Sequence, residues 1–357
     1  MDQSERIAGL PRFRFSRMGP VVISKVDLVR RPLSHSMGWR SAQRFEIVMS
    51  CCQQFVVVVP GLVSTPFGLS AIAFWMYVCA LLVSIISLIK IFGELSQEHG
   101  MDKVMPFGRL FFAIPMAVFG SEHFTVTASI AALVPRWIPT HTFWVYLVGV
   151  AFLCAALSIA VLVKARLAAA LVGMTLLIFV LIMDMPGVVA NPHNRFFWAL
   201  ALRQLAFSGG AFAFAMSPWS IGPRKSSPTP WKPVLAAVPR FFVGIPSVFY
   251  GVEHLLHPEY VPGIPLQKLT PDWIPGRILL SYFVGVILIV AGVCLLVNKK
   301  ARLAATVLGL TILLTVLWIY LPMLLAAPRD VVALNFFFDT LLFCGAILLL
   351  ANATRKN

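Results

Sequence analysis

The chain has 357 residues, of which 59% are apolar and only 12% charged, with a mean hydropathy of +0.87. That composition excludes an ordinary soluble domain and points to a multi-pass membrane protein. The net charge of +15 does not mark a nucleic-acid partner, because the basic residues gather at the start of the chain and at alternate ends of the apolar segments; membrane insertion imposes that distribution.

Residues 1–44 are polar and basic, with Arg12, Arg14, Arg17, Arg30 and Arg31 in a segment without helical periodicity. They lack the order of a cleavable signal, so a disordered cytosolic tail is expected. Ten apolar spans follow. The first two, near 46–64 and 69–92, form an N-terminal helical pair over 45–93. Four more lie near 107–127, 143–163, 166–185 and 195–216. A linker at 217–238, rich in Pro, Ser and basic residues, separates them from spans near 239–256, 278–298, 301–321 and 331–352. The six cysteines (Cys51, Cys52, Cys79, Cys154, Cys294, Cys344) contain no Cys-x-x-Cys, and none recurs at a matching place, so neither a redox dithiol nor a zinc cluster is indicated.

The spans over 107–216 and 239–352 are two copies of one unit. Arg109, Pro115, Gly120, Glu122 and His123 recur 131 residues later as Arg240, Pro246, Gly251, Glu253 and His254. After an insertion of five residues in the second copy, the offset becomes 136 and stays there. Trp137 then matches Trp273, Lys164-Ala165-Arg166 matches Lys300-Ala301-Arg302, and Gly209 matches Gly345. An even number of spans per copy makes both enter the bilayer in the same sense, so their pseudo-twofold axis is expected along the membrane normal. The fold class read from this is all-α integral membrane: two tandem four-helix bundles plus the N-terminal pair. Lys and Arg are concentrated on the side of the basic tail, which puts both termini in the cytosol and the Glu-His ends outside.

The residues with chemical potential are Glu122, His123, Glu253 and His254, each pair closing the first helix of its copy. Ionisable groups at membrane depth are costly and tend to be functional, so a carboxyl beside an imidazole suggests proton handling or quinone contact. The alternative is that both pairs sit at the interface and hydrogen-bond the following loop. His123 and His254 could face one haem iron across the axis, but each abuts a carboxylate, which disfavours haem. His254 and His257 share a helical face, yet Val126 stands where His257 recurs, so no general metal site is expected. Trp137 and Trp273, each bracketed by prolines, read as caps over the outer mouths, either shaping a quinone pocket or anchoring the interface. Arg203 and Asp339 occupy equivalent places in the last helix of each copy, and opposite charges in lipid favour pairing between the units. Asp184, matched by Tyr320, reads as an interfacial acid.

A four-helix apolar unit with Gly-x-Glu-His ending its first helix, a following Trp-Ile-Pro and a Lys/Arg-rich turn before its third resembles the DoxX-like membrane proteins, here as two fused units over about 107–352. That resemblance implies a bacterial inner-membrane protein, accessory to a quinone-linked redox system, with other membrane redox subunits as partners beside the lipid bilayer. The cofactor is left open, with quinone as the candidate. Two other classes stay in view: a small-solute transporter or channel with its path between the units, and a membrane scaffold or assembly factor without catalysis.

Overall fold

A computed structural model describes residues 69–95, 103–217, 233–264 and 268–354. The basic tail, the span near 46–64 and most of the linker lie outside the described residues. Nine long helices are described: α1 (Ala71–Leu95), α2 (Met105–Thr125), α3 (His141–Val161), α4 (Ala165–Ala190), α5 (Arg195–Met216), α6 (Pro233–Leu256), α7 (Arg277–Leu296), α8 (Ala301–Ala326) and α9 (Val331–Ala353). There is no strand among the described residues, only an isolated bridge between Tyr260 and Leu269. Seven of these helices are long and apolar enough to cross a membrane, which supports a multi-pass protein in a bilayer. The other two, α2 and α6, carry the Glu-His pairs. Fourteen of the 21 residues of α2 are buried, so it is walled by protein and does not need an apolar face for lipid.

The duplication read from the sequence recurs as duplicated structure. A π-helical turn interrupts α4 at Val180–Asp184 and α8 at Val316–Tyr320, at matching positions. The tight turns into α4 and α8 both hold non-glycine residues in the left-handed region, Leu162 and Lys164 in the first copy, Asn298 and Lys300 in the second. The Ser208 hydroxyl donates to the Gly173 carbonyl, and the Cys344 thiol donates to that of Gly309, again 136 residues on.

The copies do not stand as two closed bundles. Neighbouring helices pack in sequence order from α2 to α9, and α2 of the first copy then packs on α9 of the second. By the same symmetry α6 packs on α5, and α5 and α9 meet each other in the middle. Helix α1 rests on α2 and α3 at the periphery. Each first helix therefore docks on the last helix of the other copy.

Small residues explain the choice. Without a hydrophobic drive between helices in lipid, close backbone approach decides which faces meet. A Cβ on Gly345 would come within 2.6 Å of the Phe112 backbone nitrogen in α2, and one on Gly210 within 2.3 Å of the Ala346 Cβ in α9. Gly210 and Ala346 are repeat equivalents in contact, which locates the pseudo-twofold axis between α5 and α9. These two helices are also the most enclosed, with 72% and 78% of their apolar windows buried. Large apolar side chains such as Trp75, Leu81, Ile89, Leu171, Leu279 and Leu314 are exposed instead around the outside, where lipid would cover them.

Candidate functional site

The Gly-x-Glu-His phrase has a local geometric meaning. Gly120 lets α2 press on α3, because a Cβ there would lie 2.9 Å from the Leu153 side chain and 3.2 Å from the Gly149 carbonyl. Gly251 does the same for α6 against Gly285 and Ile289 of α7. The histidine then lies over the partner glycine: a Cβ on Gly149 would come within 2.7 Å of the His123 Cβ, and one on Gly285 within 2.9 Å of the His254 Cβ. Consecutive helical residues point about 100° apart. With the histidine facing the next helix of its own copy, the glutamate turns to the other copy.

The two histidines end differently. His254 is fully buried, its Nδ1–H donates to the Tyr250 carbonyl, and its Nε2 accepts from the Gly263 amide at 2.8 Å. Both ring nitrogens are thereby committed to backbone, which fixes a neutral tautomer and leaves neither for a metal, haem or quinone. The expected chemical role of His254 is replaced by stapling the connection that contains the second copy's insertion. His123 donates from Nδ1 to the Phe119 carbonyl at 2.7 Å and sets its ring edge-on to Phe152, with no counterpart of Gly263 among the described residues. His257 pairs with Glu259 at 3.4 Å, and no group of three metal-ligating side chains occurs among the described residues.

The glutamates also diverge. The Glu253 carboxylate accepts from the Arg195 guanidinium at 3.0 Å, and that guanidinium stacks over the Tyr260 ring at 4.2 Å. This contact ties α6 to α5 through a guanidinium and a carboxyl group. Glu122 has no arginine at the equivalent place, because Val331 stands where Arg195 recurs. Its partner is the Asn335 side-chain amide of α9. An amide carries both a donor and an acceptor, so it can satisfy a carboxylate or a protonated carboxyl.

Around Glu122 the interior is charged. Arg203 of α5 and Asp339 of α9 form an ion pair between the copies, on the pseudo-twofold axis. Both lie within Coulombic range of Glu122, and Asp184, the last residue of the α4 π turn, lies within Coulombic range of Arg203. The Arg203 and Asp339 side chains keep 19% and 13% of their surface accessible although they sit in the two most enclosed helices. Charged groups do not face lipid at such depth, which fits their placement between the two copies. Asp184 Oδ2, Asn335 Oδ1, Gln204 Oε1 and Arg203 Nε are buried without a hydrogen-bond partner. In the second copy Tyr320 takes the place of Asp184, and its hydroxyl donates to the Pro262 carbonyl at 2.9 Å. The second copy thus has no acid at the position of Asp184.

Comparison with family models, with curated proteins and with solved structures finds no match. The site therefore rests on its own geometry. Trp137 and Trp273 are 72% and 56% exposed, so neither indole closes over a pocket, and both fit the boundary-anchor alternative. Sequence reasoning missed Asn335 and Arg195 and took Asp184 for an isolated interfacial acid. The available signal was a spacing of four between Asn335 and Asp339 in an otherwise apolar helix, which stacks them on one face.

Proposed function

We propose that this chain is a DoxX-like protein of the bacterial inner membrane, with both termini cytosolic, and that it serves a quinone-linked redox system as a proton-exchanging accessory subunit. The observation that carries this reading is the Arg203–Asp339 ion pair between the copies, with Glu122 and Asp184 each within Coulombic range of that one arginine. In a low-dielectric interior, carboxyls that outnumber their cations are costly as charges, which suits them to proton exchange. Asn335 orients Glu122 in both protonation states, Arg203 restrains the negative charge, and α5 and α9 exclude bulk water. Quinone is the redox partner the family resemblance suggests.

The test is quinol-dependent electron transfer in membranes carrying Glu122→Gln at wild-type abundance. A several-fold fall is expected, and unchanged turnover refutes the reading in favour of a scaffold. The transporter reading draws on one further observation, that the charged cluster lies between the copies, where an alternating path would run. Solute uptake by reconstituted vesicles that is lost on changing Arg203 would favour it.

A further inference from the structure

We infer that the exposed face of α6 is a docking surface for one membrane helix of a partner protein, a helix that carries a carboxylate near the Arg240 end of α6. The surface is separate from the charged cluster at Arg203 and does not depend on the redox reading.

The first copy shows what such a face receives. Helix α1 lies along α2, and on that helix Leu110, Ile114 and Ser121 are only 6%, 8% and 5% exposed. The buried residues of α1 are Ala73, Met76, Val83, Ser87 and Ile91, at spacings that keep them on one side of the helix. Glu94, three residues past Ile91, accepts from Arg109 Nη1 at 3.2 Å, and the Arg109 side chain is buried. An apolar seam thus ends in an acid where α2 begins.

The second copy has the same face without a helix on it. The offset of 131 turns Leu110, Ile114 and Ser121 into Phe241, Ile245 and Val252, which are 44%, 45% and 42% exposed. Helix α6 packs on α5 and α7, and among the described residues no helix covers it as α1 covers α2. Arg109 becomes Arg240, whose Nη1 is enclosed but has no hydrogen-bond partner. Lipid tails would suffice for the apolar stripe and leave that guanidinium nitrogen unpaired. A helix built like α1 supplies both the stripe and the acid.

The chain itself does not supply that helix. Residues 217–238, which precede most of α6, contain no apolar run of bilayer length. Only six residues join the apolar segment near 46–64 to α1, a reach of about 20 Å. The α6 face lies beyond α2, α9 and α5, and packed helices stand about 8–10 Å apart. A second copy would present the outer side of its α1, where Lys90 is exposed, or its own α6, where Arg240 would meet Arg240. Both put like charges together.

The probe is a synthetic α1 peptide, residues 69–95, because its seam already fits the repeat-equivalent face. The full chain, with a benzophenone photo-cross-linker at position 245, is reconstituted with the peptide in phosphatidylcholine vesicles and illuminated. Cross-linking to the peptide is expected to saturate with peptide concentration. It should fall several-fold in Arg240→Gln, and equally when the wild-type chain meets a Glu94→Gln peptide, which leaves the fold of the chain untouched. An Arg240→Glu chain with a Glu94→Arg peptide should recover it. Adducts confined to phospholipid, or peptide capture indifferent to both charge changes, overturn the inference in favour of a lipid-facing surface. Adducts to residues 46–64 of the same chain, or to a second full-length copy, overturn it in favour of those occupants.

Discussion

Removing Arg203 should damage the fold more than removing Asp339, although the two form one ion pair. Two unit charges in contact at an effective dielectric constant near 20 attract by about 4 kcal/mol. Breaking one partner of a buried pair costs about 3–5 kcal/mol, because the remaining charge is left uncompensated. The two side chains keep 19% and 13% of their surface accessible, which moves the cost toward the lower figure. The neighbours then separate the two variants. In Asp339→Asn, Arg203 still has Glu122 and Asp184 within Coulombic range, so the loss should fall to about 1–2 kcal/mol. In Arg203→Gln the guanidinium within Coulombic range of all three acids is lost, and the loss should reach about 3 kcal/mol or more. The exchange Arg203→Asp with Asp339→Arg puts the guanidinium on the helix of Asn335, still near Glu122, and should recover most of the loss of Arg203→Asp. Thermal unfolding of the full chain in lipid nanodiscs, followed by circular dichroism, measures all of these. A charge exchange no more stable than Arg203→Asp alone, or an Asp339 variant weaker than the Arg203 variant, would refute the argument.

Three further perturbations test other links. Gly345→Val places a side chain on the Phe112 backbone and should cost about 1–3 kcal/mol or more by forcing α2 and α9 apart, read as lower thermal stability; an unchanged midpoint would mean the crossing is not close. His254→Ala strips the Gly263 amide of its acceptor and should cost about 1–3 kcal/mol while speeding proteolysis in the connection after α6, whereas His123→Ala should cost less. Leu162→Asn installs the residue that the second copy uses at the same left-handed position, where asparagine is better tolerated, and should raise the unfolding midpoint slightly; a clear fall would show that the Leu162 side chain matters more than its backbone.

Several features were open to sequence reasoning because they are local or periodic. Apolar runs of bilayer length mark a multi-pass helical protein without tertiary information, since backbone hydrogen bonds must close within each helix in lipid. A constant offset reveals the duplication, and that register alone sets Arg203 opposite Asp339, two side chains that touch in the fold. Spacing also shows that Glu122 and His123 cannot face the same way.

What only the tertiary structure decided is which surfaces the two copies share. The same glycines could have closed each four-helix unit on itself, and nothing in the repeat favours one closure over the other. The close approaches at Gly345 and Gly210 resolve it, because they bring α9 against α2 and against α5. From that packing come the amide facing Glu122, the guanidinium facing Glu253, and the contrast between two ends whose motif is the same. An identical phrase receives different partners because each glutamate points across to the other copy, where Asn335 and Arg195 are not repeat equivalents.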